Sequence, residues 1–119
     1  MTQTEQHILA QGIELTFEAG EYLFRESQMA DFTFFLKDGS VELCHDTPFL
    51  IEKQKCFFGL KELILEGLHP QSARVNSTSI VLVFEKELIK KLFEQNPDAR
   101  RYLLQKMSHQ FRVLRQDFE

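Results

Sequence analysis

The chemistry in this sequence is concentrated between Gly59 and Val75, in the stretch GLKELILEGLHPQSARV. A glycine, then Leu60, Leu63 and Ile64 at helical spacing and Gly67 to end the turn, reads as a phosphate-binding turn entering a short helix. Backbone amides at such a start point at an anion, and the peptide dipoles favour its charge. Glu62 adds a carboxylate in the first turn, either as a ligand-binding group or simply as a charge set against the helix dipole. A phosphate is best met by an arginine, whose planar fork suits the anion, whereas Gln71 near the end of the stretch is neutral. Its amide can donate, but it has no charge to set against a phosphate that must leave water. Arg74 is three residues further on, and in a strand that spacing turns it to the opposite face.

Other reactive side chains form no comparable group. His7, His45, His69 and His109 are spread over a helix, a strand, a loop and a second helix with no His-x-His pair. A cupin-like metalloenzyme needs histidines converging with a carboxylate, so that reading is remote and no metal or catalytic residue is expected. His69, which precedes Pro70, reads as a solvated loop residue. Cys44 and Cys56 lack CxxC spacing and read as two small buried thiols.

The elements that must position the cassette change period along the chain. Thr4 offers a cap for a short helical run packed by Ile8 and Leu9. Ile13, Leu15 and Phe17 then alternate with Glu14 and Thr16, which predicts a half-buried strand. YLFR, FTFFLK and SVELCH continue the alternation, and Asp38-Gly39 between the last two is the strongest short hairpin signal. Phe32, Phe34 and Leu36 share one face, Thr33, Phe35 and Lys37 the other. After a break at Pro48, FLIEK reads as a strand, and SARVNS with SIVLVF as a late pair. Several short strands with regular turns predict a sandwich or barrel.

From Glu85 the pattern is helical: Leu88, Ile89, Leu92 and Phe93 repeat, and Asn96-Pro97 supplies a cap and a first-turn proline for a longer helix. Leu104, Met107, Phe111, Leu114 and Phe118 follow in a three, four, three, four spacing. That is the seam of a short coiled coil and implies a homodimer; the other reading packs the stripe on the chain's own barrel.

The bulk properties agree with one soluble domain over 1–119, with a short N-terminal helix, a β-roll to about residue 84 and helices over 85–119. The 119 residues are 43% hydrophobic, and twelve phenylalanines without a tryptophan point to a core built on rings. The net charge of −4 is uneven: residues 1–84 hold 6 basic and 12 acidic side chains, residues 85–119 hold 8 and 6. Neither part concentrates the positive charge that nucleic acid requires, so no nucleic acid partner is expected. No apolar run reaches the roughly 18 residues of a membrane span, and MTQTEQHILAQG lacks the basic start and apolar centre of a signal peptide. The expectation is a cytoplasmic protein without a membrane partner.

In this order the strands, inserted helix and terminal helices resemble the cyclic-nucleotide-binding domain family, of the catabolite-activator type, over nearly the whole chain. GEYLFRESQMADFTFFLKDGSVEL carries the most specific part, with Gly20, Glu21, Leu23, Phe24, Glu26, Phe34, Leu36, Gly39 and Val41 where the family has such residue types. Phe58-Gly59 is similar to the family's aromatic-glycine entry into its phosphate-binding cassette, and QSARV to the cassette's end, which places Gln71 at the arginine position. The family's glutamate falls on Leu60 if it follows the glycine directly, or on Glu62 if two residues are inserted; the second alignment also keeps ELIL over the family's Glu-Leu-small-Leu. Ser27 and Lys55 replace two further turn glycines.

The resemblance implies a mainly β fold with flanking helices: an antiparallel β-roll of two packed sheets, a short cassette helix, and C-terminal helices that move on binding. It implies ligand contacts at Gly59, Glu62, Leu63, Ile64, Gln71, Ser72 and Ala73. The expected function is a stand-alone, non-catalytic regulatory module with cyclic nucleotide binding weakened or lost, acting on a protein partner. The alternative is a sensor that binds a cyclic nucleotide or cyclic dinucleotide through helix amides, Ser72 and Glu62.

Overall fold

The computed structural model describes residues 2–45, 47–52 and 55–117, with the backbone alone for residues 45, 47–51 and 108–117. Helix α1 (Gln3–Leu9) leads into β1 (Ile13–Phe17) and β2 (Tyr22–Phe24). Its cap is Thr2 and not Thr4: the Thr2 hydroxyl accepts from the Glu5 amide at 3.1 Å, two residues earlier than the sequence suggests. Strand β3 (Phe32–His45) is followed by β4 (Thr47–Glu52), β5 (Phe57–Phe58) and the cassette helix α2 (Leu60–Ile64). Strand β6 (Ser72–Glu85) then runs into α3 (Lys86–Gln95) and α4 (Pro97–Asp117). The architecture is the antiparallel β-roll with flanking helices that the sequence implies.

Its frame is the long antiparallel pair of β3 and β6, with β1 and β2 on the outer side of β6 and β4 and β5 on the outer side of β3. Asp38-Gly39 is not a hairpin. Strand β3 continues through it, paired to β6 from Phe32 opposite Glu85 to Cys44 opposite Ser72, with register shifts between Leu36 and Val41. These shifts change which alternate residues face inward: Phe34 and Leu36 before them, Val41 and Leu43 after. Gly39 has φ +125°, and a Cβ there would lie 2.1 Å from the Ser79 hydroxyl oxygen and 2.7 Å from its Cα, so the bulge requires glycine. A hairpin would place the two halves side by side; the bulge keeps them in line and bends them. The expected late pair SARVNS and SIVLVF is likewise one strand, β6, and Pro48 lies inside β4 beside the Leu43/Cys44 register shift on an outer strand.

Two apolar clusters lie on the two faces of this frame. The interior of the roll gathers Leu23, Phe24, Phe34, Leu36, Val41, Leu43, Cys56, Phe58, Ala73, Val75 and Val81. The opposite face, through Phe35, Phe57, Leu82 and Phe84, packs against Ile8 and Leu9 of α1, Leu60 and Leu63 of α2, Ile89 of α3, and Ala99, Tyr102 and Leu103 of α4. Phe57 is the hub of the second cluster, edge-on to Phe35 and Tyr102 at centroid distances of 5.0 and 6.2 Å. As expected, Asn96 caps α4, accepting from the Ala99 amide at 3.1 Å. Arg100 then donates to the Phe93 and Glu94 carbonyls and closes the end of α3.

Strand β1 departs from expectation. It alternates as predicted, but Ile13 and Leu15 are 58% and 45% exposed, so the strand is not half-buried.

Candidate ligand site at the cassette

The cassette turn is built by Gly59, which caps α2 in the left-handed region at φ +80°. A Cβ at this position would meet His69 Cε1 at 2.9 Å and Phe24 Cε2 at 3.3 Å. The turn is therefore pressed onto two rings. His69 is not a solvated loop residue: it is 3% exposed and lies flat on Phe24, ring centroids 3.7 Å apart and planes 11° from parallel. Its backbone is clamped to the 25–28 turn, the amide donating to the Gln28 carbonyl at 2.9 Å and the carbonyl accepting from the Ser27 amide at 2.8 Å. Pro70 favours the extended backbone that this pairing needs, and the clamp carries the side chain inward.

Glu62 completes the group. Its Oε2 lies 4.0 Å from His69 Nδ1, which has no hydrogen-bond partner among the described residues. Burial drives both groups toward neutrality, raising the Glu62 carboxyl and pushing the His69 imidazole down to about 4, with the Asp31 charge acting in the opposite direction on His69. Leu60, the other candidate for the glutamate position, is fully buried among the helices.

The remaining cassette residues divide between two environments. Leu63 is fully buried in the helical cluster and Ile64 packs against it. Ala73 faces the interior beside Phe24 and Leu43. Ser72 is half-buried, with its hydroxyl accepting from the Glu26 amide at 2.9 Å; Gln71, just before it, is half-buried as well. Gly59 and Glu62 thus meet around His69, whereas Leu63 and Ile64 serve the helix packing. Arg74 lies opposite Glu42 in the strand register and its guanidinium donates to the buried Glu42 carboxylate. That bond raises the arginine further and holds its charge on the outer face of the sheet, away from Ala73 and Val75.

Ser27 adopts φ +68°, the conformation expected of a glycine position. Beyond α2, Glu66 at φ +58° receives Lys90 at 2.8 Å and Lys86 at 3.6 Å, which ties the cassette's exit to α3. Neither this tie nor the Phe24–His69 stack is visible in the sequence, since both join residues far apart in the chain. The one available signal is Gly59, whose missing side chain makes room for a ring.

Cys56 is buried, Cys44 is half-buried, and both are free; burial raises both thiols. Among the described residues no three His, Cys, Asp or Glu side chains are grouped closely enough to hold a metal ion, and no helix is long and apolar enough to cross a membrane. In the C-terminal stripe, Leu104 is exposed and Met107 packs partly against the helical cluster. Phe111 and Leu114 belong to the part of α4 whose side chains are not described, and Phe118 lies outside the described residues.

The description of the cyclic nucleotide-binding domain family matches residues 14–96, and the chain belongs to that family. It is thus a domain of the regulatory, signalling type. Among solved structures it is similar to the cyclic-di-GMP-responsive global regulator CLP of Xanthomonas campestris, with a TM-score of 0.82 and 20% identity over 96% of this chain and 59% of that one. It is also similar to the N-terminal domain of a transcriptional regulator from Streptomyces coelicolor A3(2), with a TM-score of 0.74 and 16% identity over 96% of this chain and 86% of that one. A cyclic nucleotide-binding-like protein from Brucella abortus gives a TM-score of 0.68 and 22% identity over 80% of this chain and 87% of that one. At these identities the likeness is one of fold. The chain spans 59% of the length of the Xanthomonas regulator. A search of curated proteins finds no match.

Proposed function

We propose that this chain is a non-catalytic regulatory module, one domain over 1–119, in which the cyclic-nucleotide cassette is retained as a scaffold while nucleotide affinity is weakened or lost. One observation carries the reading: Gln71 stands at the arginine position of the resemblance while the nearby Arg74 is held by Glu42 on the outer face. A cyclic phosphate entering the cassette would lose its water without the fixed positive charge that repays the loss. The packing of the stacked His69 and Phe24 rings against Gly59 adds to this, since the space beside the turn is already filled. On this reading the module works in the cytoplasm through a protein partner and pairs with itself through the Leu104, Met107, Phe111, Leu114 and Phe118 stripe.

Calorimetry on the native protein beside Gln71→Arg tests it, with cyclic AMP, cyclic GMP and cyclic di-GMP as ligands. The native chain is expected to show no binding below millimolar concentration, and gain of affinity in Gln71→Arg assigns the loss to charge. Low-micromolar binding by the native chain overturns the proposal. A second reading, a sensor of a cyclic nucleotide or dinucleotide, is favoured by the likeness to a cyclic-di-GMP-responsive regulator and by Glu62 in the first turn of α2, close to His69. It requires a melting temperature that rises with ligand concentration by mass action.

A further inference from the structure

Strand β1 is an unfinished edge in two independent respects. Its backbone has a partner on one side only: among the described residues β1 pairs with β6 and with no other strand. Its side chains are also uncovered. Ile13 and Leu15 stand opposite Val83 and Val81 in the register, so they prolong the interior-facing row of β6 beyond the part that Phe34, Leu36 and Phe58 cover. An open row of amides and carbonyls beside an exposed apolar row is a template for another strand.

Sheet edges are usually blunted by proline, lysine, a bulge or an inward-pointing charge. The sequence IELTF contains no proline or lysine, its register with β6 runs without a shift, and its one charge is on the other face, where Glu14 receives Lys37 at 2.6 Å.

The order of residue types selects the occupant. IELTF reads the same in both directions as apolar, polar, apolar, polar, apolar. An antiparallel copy centred on Leu15 sets Leu15 against Leu15, Ile13 against Phe17 and Glu14 against Thr16, so every apolar residue meets an apolar one and no like charges meet. Sliding that copy by one pair in either direction sets Glu14 against Glu14, or Glu14 against Glu18. A parallel in-register copy sets Glu14 beside Glu14. Slides that change parity turn the apolar row to the opposite face. We propose that β1 is a homotypic docking edge, to which β1 of a second copy of this chain adds antiparallel about a two-fold axis at Leu15, joining the two sheets into one.

The contact is small and separate from the C-terminal stripe, so it is read in a Leu114→Glu background that removes any association through α4. Sedimentation over a concentration series should show a mass that rises toward two protomers in Leu114→Glu and stays at one, a twofold fall, in Leu15→Lys/Leu114→Glu. Position 15 is exposed, so the circular dichroism and melting temperature of that variant should match the parent. Register is tested by cross-linking in a Cys44→Ser/Leu114→Glu background, where Cys56 is buried. Leu15→Cys should form a disulfide-linked dimer on mild oxidation, mapped to position 15 in both copies. Glu14→Cys should bridge only when mixed with Thr16→Cys. A monomer at all concentrations in Leu114→Glu, or equal bridging by Leu15→Cys and Glu14→Cys alone, overturns the proposal.

Discussion

The imidazole of His69 lies flat on the ring of Phe24, with centroids 3.7 Å apart, and no described residue bonds its Nδ1. Protonating this ring places a charge where water does not reach, which gives a pH dependence of definite sign. The folded imidazole titrates near 4, whereas an unfolded one takes its proton near 6.5. The unfolded state therefore binds more protons between these values, and folding stability falls as pH drops from about 6.5 toward 4, by a total on the order of 3 kcal/mol. The Glu62 carboxyl, raised by burial, acts in the opposite direction and offsets part of the fall, while the Asp31 charge favours the protonated ring. Urea midpoints measured from pH 7.5 to 5 should decline in the native chain, and the decline should be shallower in His69→Gln. Equal slopes would show that the ring titrates as in water.

Gly59→Ala should be costly for two separable reasons. The left-handed backbone at φ +80° costs an alanine roughly 1 kcal/mol, and the new methyl group, 2.9 Å from His69 Cε1, adds strain of about 1 to 3 kcal/mol. Removing the His69 ring relieves the shorter contact and leaves the backbone cost and the 3.3 Å approach to Phe24. In a double-mutant cycle by chemical denaturation, Gly59→Ala should therefore be cheaper in a His69→Ala background than in the native chain, by about 1 kcal/mol or more. Additive effects would place the ring elsewhere in solution.

How much of this was legible in the sequence depends on the range of each contact. The cassette helix, the Asn96 cap and the alternation of Phe34 with Phe35 are local patterns and read correctly. Asp38-Gly39 misleads because a positive-φ glycine serves a bulge as well as a turn, and only the Ser79 side chain across the sheet decides between them. The exposure of β1 escapes the same reading, since alternation shows that a strand has an apolar face but not that anything covers it. His69 looks like a loop residue because its depth is set by two backbone bonds to Ser27 and Gln28, some forty positions away.

The tie between Glu66 and α3 predicts a change in local motion with little change in global stability. Lys90 and Lys86 lower the Glu66 carboxyl from its ordinary value, but the group is exposed and water screens it. Glu66→Gln should leave the melting temperature nearly unchanged. Hydrogen exchange should quicken over residues 60–67 and the first turns of α3 if the tie limits their separation, and high salt should produce the same effect in the native chain. Exchange unchanged in both cases would reduce the tie to a surface contact.

The C-terminal stripe divides at its first two members, which separates packing within one chain from pairing between two. Met107 leans on the helical cluster of its own chain and Leu104 faces solvent. Met107→Ala should therefore cost the fold about 1 to 2 kcal/mol, as a partly buried side chain lost from a core, at concentrations where the chain is monomeric. Leu104→Glu should leave monomer stability within about 0.5 kcal/mol, as for an exposed position. If the stripe is a dimer seam, Leu104→Glu and Leu114→Glu each weaken self-association by sedimentation while the β-roll stays folded by circular dichroism. An unchanged mass in both would assign the stripe to the chain's own packing, and leave the edge at β1 as the surface through which two copies meet.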